Sequence, residues 1–312
     1  MRLLRAELAK LNRPLAWGVA AAAALFCVLL AAGGAHNAAV GARSAPRSLP
    51  SCAAMGVRAG PLCTRALAIE RSRLTEILAG PAQVAAQLSP AQAGAESAGL
   101  MASLPGALAL ALLAGGHVGG EWSGRTVKNL LTQCGRRWRL TAAMLGSLWL
   151  AGVGLMTVCW AALAVTGPVL ARLNNLPAPD ATAGHEVSLA LSQCGRALLV
   201  LAVFAAIGVL ASVLTRGTIG TTATAAGAVV AMLVLASLPG VAGWSPATWV
   251  QGWMGFPAGQ ASITALPTNF WSRFIGPGGA PGPWSGLAGL VGLLMATMLL
   301  AGRVFRRADV TG

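Results

Sequence analysis

The hydrophobic positions of the chain form long uncharged blocks, separated by segments that carry the charged residues. At 1.5 Å rise per residue, about 20 apolar residues cross the hydrocarbon core of a bilayer as a helix. Blocks of about this length predict six membrane-spanning helices, at about 15–32, 98–119, 140–165, 197–214, 218–239 and 284–302. The predicted fold class is an all-α integral membrane protein with six transmembrane helices, organised as one membrane-spanning domain over residues 1–312.

A short amphipathic segment precedes the first block. Its leucines recur at helical spacing, at Leu4, Leu8 and Leu11. Its basic residues lie elsewhere on the helix surface: Arg2, Arg5, Lys10 and Arg13. Such a pattern predicts an N-terminal helix in the membrane interface, ended by Pro14. A cleaved signal peptide is the alternative, but the uncharged run of 18 residues is long for a signal core and five more blocks follow.

Two segments between the blocks carry predictions of their own. Residues 34–97 are polar and rich in Pro, and we expect an extracellular loop with one helical face formed by Leu67, Leu74 and Leu78. Cys52 and Cys63 share this loop, where an oxidising compartment would allow a disulfide, and free thiols are the alternative. Residues 241–283 combine Trp and Phe with many Gly and Pro, which favours short interfacial or re-entrant helices.

Arg196 decides where the fourth span begins. A helix from Val187 would place this cation near the middle of the membrane, at roughly 2.5–3.5 kcal/mol. We therefore predict the span at Ala197–Leu214 with Arg196 at its outer rim. A functional Arg196 buried in the membrane is the alternative.

Composition supports the membrane assignment and sets the orientation. Charged residues make up 10% of the chain and hydrophobic residues 56%, with a mean hydropathy of +0.69, whereas soluble domains carry about 25% charged residues. The net charge of +14 does not indicate nucleic-acid binding, because the basic residues form no single stripe. With both termini cytoplasmic, the inner segments hold four basic residues before the first span, five in 120–139, Arg216 and three in the tail. The short outer loops then hold only Arg172 and Arg273, with Arg196 at the rim. This bias predicts a multi-pass protein of the plasma membrane, in contact with anionic lipid.

Signatures of catalysis are missing from the sequence. It contains no HExxH, GxSxG or GxxxxGK[ST] motif, and His36, His117 and His185 lie far apart along the chain. We therefore predict no enzyme activity, no metal site and no cofactor in this chain. No ionisable residue falls unambiguously in the middle of a predicted span, which weakens the hypothesis of an ion-coupled carrier.

The segment 120–139 has a different character. Glu121 and Arg125 are four residues apart, and Thr126, Leu130 and Leu131 continue a short amphipathic helix, which Gly135 ends. It could simply set the topology, or it could lie along the cytoplasmic surface and dock into a partner. Before it, Gly115, Gly116, Gly119 and Gly120 form two overlapping GxxxG pairs, a pattern typical of close helix contacts.

This segment resembles the type-2 ABC transporter permease family. The resemblance rests on Glu121-x-x-Gly124-x-Thr126, then Leu130-Leu131-Thr132 and Arg136-Arg137, although Arg125 precedes the Thr and the family's frequent Pro is absent. The N-terminal interfacial helix, six spans and the ending FRRADV are similar to the family as well.

The resemblance implies a membrane-spanning subunit of an ABC exporter. Two permease subunits would pair as a homo- or heterodimer, and separate ABC ATPase subunits, holding ATP and Mg, would bind the cytoplasmic face. The coupling residues would be Glu121, Gly124, Arg125, Thr126, Lys128, Leu130, Leu131, Arg136 and Arg137. Reversing Glu121 and Arg125 is expected to uncouple ATP hydrolysis from transport. The alternatives are a non-transporting membrane anchor or assembly protein and an ion-coupled secondary carrier.

Overall fold

The computed structural model describes residues 7, 9–10, 13–46, 48–56, 58–124, 137–178, 183–238, 240–256 and 281–307. These residues form helices and loops, with no strand among them. The α-helices are α1 Pro14–Ser44, α2 Pro61–Gln87, α3 Ala93–Met101, α4 Leu104–Ala114, α5 Gly120–Ser123, α6 Arg137–Leu173, α7 Ala183–Thr215, α8 Thr218–Ser237, α9 Pro246–Met254 and α10 Pro283–Arg307. A π-helical turn, Gly115–Gly119, joins α4 to α5, and a 3₁₀ turn, Ala242–Trp244, precedes α9.

Five helices of the described part are long and apolar enough to cross a membrane, namely α1, α6, α7, α8 and α10. A sixth span results if α3 and the helical run Leu104–Ser123 cross together, although the two are bent by 61°. The chain is therefore an α-helical multi-pass membrane protein. The helix α7 is central, since 72% of its most apolar window is buried against 11% for α1.

The second apolar block is broken, where the sequence pattern predicted one helix over 98–119. Pro105 stands at the start of α4 and has no amide hydrogen to donate to the preceding turn. Ser103 adopts extended backbone angles just before it. A Cβ on Gly106 would collide with the carbonyl oxygen of Met101, so the two helices meet in a tight corner that only glycine fits.

The helix of the fourth predicted span, α7, is longer than the predicted range 197–214. It begins at Ala183 and places Arg196 inside a continuous helix. Arg196 finds polar partners within the protein. Its Nη1 donates to the carbonyl oxygen of Met254 at 3.4 Å, and its guanidinium lies 5.7 Å from the ring centroid of Trp253. The Trp253 indole donates in turn to the carbonyl oxygen of Arg196 at 3.0 Å. These contacts replace part of the hydration that a membrane removes.

The loop between the first two blocks contains an ordered helix, as predicted, and it is α2. Leu67 and Leu74 are half-buried on it, whereas Leu78 is exposed. Cys52 and Cys63 are joined by a disulfide bond across Cα atoms 5.7 Å apart. This bond connects the chain before α2 to its first turn.

Within the aromatic segment 241–283, the structure describes residues 241–256 and 281–283. The first of these stretches contains the short helix α9. Ser245 caps this helix, accepting from the amide of Ala247 at 3.3 Å while its hydroxyl donates to the carbonyl oxygen of Met232 at 2.6 Å. The helix packs on α10 and α7. Residues 257–280 of this segment lie outside the described residues.

Small residues let the second block approach the start of α8. A Cβ on Gly119 would lie 2.8 Å from Thr221 Oγ1 and 2.9 Å from the carbonyl oxygen of Gly217, and Gly115 meets Thr218 and Thr222 in the same way. Gly116 faces Leu15 of α1 instead, and a Cβ on Gly120 would meet nothing within 4 Å. The GxxxG pair formed by Gly115 and Gly119 is thus a helix contact.

We expect Gly119→Ala to destabilise the protein by about 1–3 kcal/mol, because backbone atoms of α8 must move to admit the methyl group. The neighbouring variant Gly120→Ala is the matched control, since its methyl group enters open space. Replacing glycine by alanine within a helix stabilises the folded state by roughly 0.5–1 kcal/mol where the methyl group meets no clash. Thermal unfolding in detergent, followed by tryptophan fluorescence, measures both. Equal melting temperatures for the two variants would contradict the close contact.

Candidate functional site

The structure describes the beginning of the predicted coupling segment. Glu121 lies in α5 and Gly124 directly follows it, while Arg137 is the first residue of α6, with its backbone alone described. The remaining predicted residues lie outside the described residues: Arg125, Thr126, Lys128, Leu130, Leu131 and Arg136. The site can therefore be built from Glu121 and its surroundings.

Glu121 is buried, with 3% of its surface exposed. Its carboxylate accepts a hydrogen bond from Nζ of Lys10, which belongs to the N-terminal segment. The same Nζ lies 2.6 Å from Oε1 of Glu7, whose side chain is fully buried. Lys10 thus bridges two buried carboxylates that are far apart in the sequence.

This bridge contains the described part of the predicted N-terminal helix. Glu7, Ala9 and Lys10 are helical, and the other positions before Arg13 lie outside the described residues. Burial would lower the pKa of Lys10, but hydrogen bonds and charge attraction from Glu121 and Glu7 outweigh it and raise the pKa above its ordinary value. While the carboxylates are ionised, the ion pairs therefore stabilise the fold at pH values below the ordinary lysine pKa. On the alkaline side this contribution is lost as the pH rises through the folded-state pKa of Lys10.

His117 extends the network into the protein. Its Nε2 lies 3.5 Å from Oε2 of Glu7 and 3.0 Å from Oγ of Ser147 in α6. The Ser147 hydroxyl donates its hydrogen to the carbonyl oxygen of Met144 at 2.9 Å. The oxygen of Ser147 must then accept from His117, so the imidazole hydrogen sits on Nε2. Nδ1 of His117 is left as a buried acceptor, without a hydrogen-bond partner among the described residues.

Trp122, the next residue after Glu121, makes the second set of contacts. Its ring packs edge-on against Phe305 of α10, with centroids 5.7 Å apart at an angle of 89°. The guanidinium of Arg216, in the turn between α7 and α8, lies 5.8 Å from the centroid of the Trp122 ring. Arg216 holds a left-handed backbone conformation with φ of 52°, which fixes the tight turn.

We call this cluster the junction. It consists of Glu7, Lys10, His117, Glu121, Trp122, Ser147, Arg216 and Phe305. Its members come from the N-terminal segment, the end of the second block, α6, the α7–α8 turn and α10. It ties these five parts of the chain to the two residues from which the predicted coupling segment starts.

The sequence pointed to Glu121 but not to the residues around it. A signal was present for Glu7, which lies three residues before Lys10 and so shares its helix face. The local sequence gave no sign of four other members, because each makes its contact with a distant part of the chain. These members are His117, Ser147, Arg216 and Phe305. Among the described residues, no three His, Cys, Asp or Glu side chains are arranged to hold a metal ion. The contacts at the junction are those that hold distant parts of the chain together.

We expect Lys10→Met to destabilise the protein by about 1–3 kcal/mol, because it leaves two buried carboxylates without their cation. Lys10→Arg keeps the charge and should retain most of the stability. Arg43→Gln is a matched control, since Arg43 lies at the far end of α1 and its Nε donates to the carbonyl oxygen of Ala39 at 3.0 Å. Its effect should stay within about 0.5 kcal/mol. Thermal unfolding at neutral pH in detergent compares the three, and a Lys10→Met protein as stable as Lys10→Arg would show that the bridge contributes nothing.

No family model, no curated protein and no solved structure matches the chain. Its function is therefore inferred from its own helices and from the contacts at the junction.

Proposed function

We propose that this chain is the membrane-spanning permease subunit of an ATP-driven ABC exporter of the type-2 class, with six spans and both termini in the cytoplasm. The observation that carries the proposal is the junction. The segment that resembles the family's coupling element starts at Glu121 and Trp122, and these two residues contact the N-terminal segment, the α7–α8 turn and α10. A force applied to the segment would thus reach several membrane helices at once.

The proposed mechanism follows from these contacts. Closure of two ATPase subunits would push on residues 121–137. Through Lys10 the push would move the N-terminal segment and α1, and through Trp122 it would move α10 and the turn between α7 and α8. Because packed helices shift as rigid units, the spans would rock and open the path to the outer side. ATP and Mg would be held by the partner subunits, and a second permease subunit would complete the path.

The position of Glu121 changes its expected role within this mechanism. A carboxylate with 3% exposure and an ion pair to Lys10 anchors the segment and is poorly placed to meet a partner. Reversing its charge would bring two cations together inside the junction, so loss of transport would then reflect misfolding. Docking charges are better sought at Arg125 and Lys128.

An ion-coupled carrier is the second candidate, and one observation favours it. Glu96 of α3 is 8% exposed, and its Oε2 has no hydrogen-bond partner in the part of the chain that the structure describes. In the structure this residue lies in α3, the first part of the bent second block. The sequence pattern had placed it at the end of the loop 34–97, two residues before the predicted span 98–119. Buried carboxylates at membrane depth are common in proton relays. Transport that survives ATP depletion but is lost with the ion gradient would select this candidate.

The test is mild detergent purification of the tagged chain from its native host, followed by mass spectrometry of the proteins that remain bound. We expect an ABC ATPase at a one-to-one ratio. The double variant Arg125→Glu/Lys128→Glu should reduce the bound ATPase at least tenfold, since complementary charges at an interface set both attraction and orientation. Arg172→Glu at the exposed end of α6 is the matched control and should bind as the unaltered chain does.

Two results would overturn the proposal. The first is the absence of any ABC ATPase under conditions in which a known ABC complex of the same host stays intact. The second is equal ATPase loss in the Arg172→Glu control, which would show that charge reversal anywhere disturbs the chain. An anchor or assembly role for the outer loop would then be preferred.

A further inference from the structure

A cavity of about 290 Å³ lies beside the junction, where the N-terminal segment meets α1 and the second block. Its charged and polar lining consists of Lys10, Arg13 and His117. Apolar walls are formed by Leu15 and Leu113, among others. The cavity thus has basic side chains at one end and apolar side chains at the other, and of the two basic residues only Arg13 has no ion pair among the described residues.

The two carboxylates of the junction do not line this cavity. Glu7 and Glu121 are buried behind Lys10, with 0% and 3% of their surfaces exposed. His117 also lines the cavity, but its Nδ1 is buried and does not reach the open space. The cavity therefore presents the exposed guanidinium of Arg13 beside the paired ammonium group of Lys10, which suits an anionic group.

An apolar groove of about 600 Å³ lies next to this cavity, between α1 and the bent second block. Leu15 borders both spaces. Along α1 the groove extends from Leu15 to Phe26, which at 1.5 Å per residue is about 16 Å. This length is about half of the roughly 30 Å hydrocarbon core, the depth of one leaflet.

We propose that the cavity and the groove together bind one anionic phospholipid of the leaflet at the N-terminal end of α1. Arg13 holds the phosphate at the cavity, beside the paired Lys10, and an acyl chain lies in the groove. Under the proposed orientation this is the cytoplasmic leaflet, whose anionic lipids are attracted to such basic residues. The proposal does not depend on the ABC assignment.

The adjacency of the two spaces, which meet at Leu15, favours a lipid over the other occupants. Free phosphate would use the cationic cavity and leave the groove unfilled. A helix of a second copy would place apolar side chains in the groove and leave Arg13 without an anion. A phospholipid joins a phosphate to an acyl chain in one molecule, and it matches both ends.

The experiment uses the full chain, purified, stripped of lipid and reloaded with phosphatidylglycerol or phosphatidylcholine, with bound lipid counted by native mass spectrometry. Arg13→Gln tests the headgroup end, since Arg13 is exposed and has no ion pair among the described residues. Gly18→Leu tests the groove, because Gly18 lines it and an added Cβ meets nothing within 4 Å. Gly33→Leu is the matched control on the same helix, with equally open space and no part in the groove.

We expect about one phosphatidylglycerol per chain, bound in preference to phosphatidylcholine. Arg13→Gln should lower that preference about fivefold, which corresponds to the ~1 kcal/mol that one basic residue contributes near anionic lipid. Gly18→Leu should at least halve the binding of both lipids, and Gly33→Leu should change neither. Melting temperatures near that of the unaltered chain show that the variants are folded.

Three results would overturn the proposal. One is unchanged lipid binding in both Arg13→Gln and Gly18→Leu. Another is displacement of phosphatidylglycerol by millimolar inorganic phosphate with no effect of Gly18→Leu, which would indicate a free-phosphate site. The third is a change in the dimer fraction of Gly18→Leu at constant lipid binding, which would assign the groove to a second copy of the chain.

Discussion

The bridge of Lys10 between Glu7 and Glu121 is the interaction on which the arrangement at this end of the molecule depends. A buried carboxylate is costly unless a cation and hydrogen bonds compensate it, and here one ammonium group serves two of them. Since Glu7 also lies within 3.5 Å of His117, the bridge fixes the N-terminal segment against the second block and, through Ser147, against α6. Removal of the single cation would leave both carboxylates without it and would break the contact between Glu121 and the N-terminal segment.

The close approach of the second block to α8 supports the other half of the junction. Gly115 and Gly119 let the hydroxyl-bearing first turn of α8 lie directly against the π-helical turn. This packing places the α7–α8 turn beside Trp122, so that Arg216 reaches the ring while Phe305 meets its edge. Small residues thus set the helix spacing, and the larger groups fit because that spacing is fixed. In a membrane, where lipid supplies no hydrophobic force between helices, such packing carries much of the specificity.

The sequence predicted what depends on local pattern and missed what depends on distant contacts. Long apolar blocks identified the five long apolar helices, because the length of such a block follows from the thickness of the bilayer. The bend at Ser103 was missed, since Pro105 lies inside a block whose hydropathy gives no sign of a break. The early start of α7 was missed because Arg196 obtains its partners from Met254 and Trp253, more than fifty residues away. Glu121 was found as part of a pattern, but its cation is 111 residues earlier in the chain.

This difference between pattern and contact matters for how the segment after Glu121 could work. A docking surface needs charges that a partner can reach, whereas a lever needs a fixed attachment, and Glu121 and Trp122 have the burial and the contacts of an attachment. If residues 125–136 meet a partner, the two functions are divided between neighbouring parts of one segment. The attachment has to be stiff, since a loose one would absorb the partner's motion before any span moved. A network of buried ion pairs and an edge-on aromatic pair is stiff in this sense, because small displacements would expose unpaired charge or open a gap in the packing.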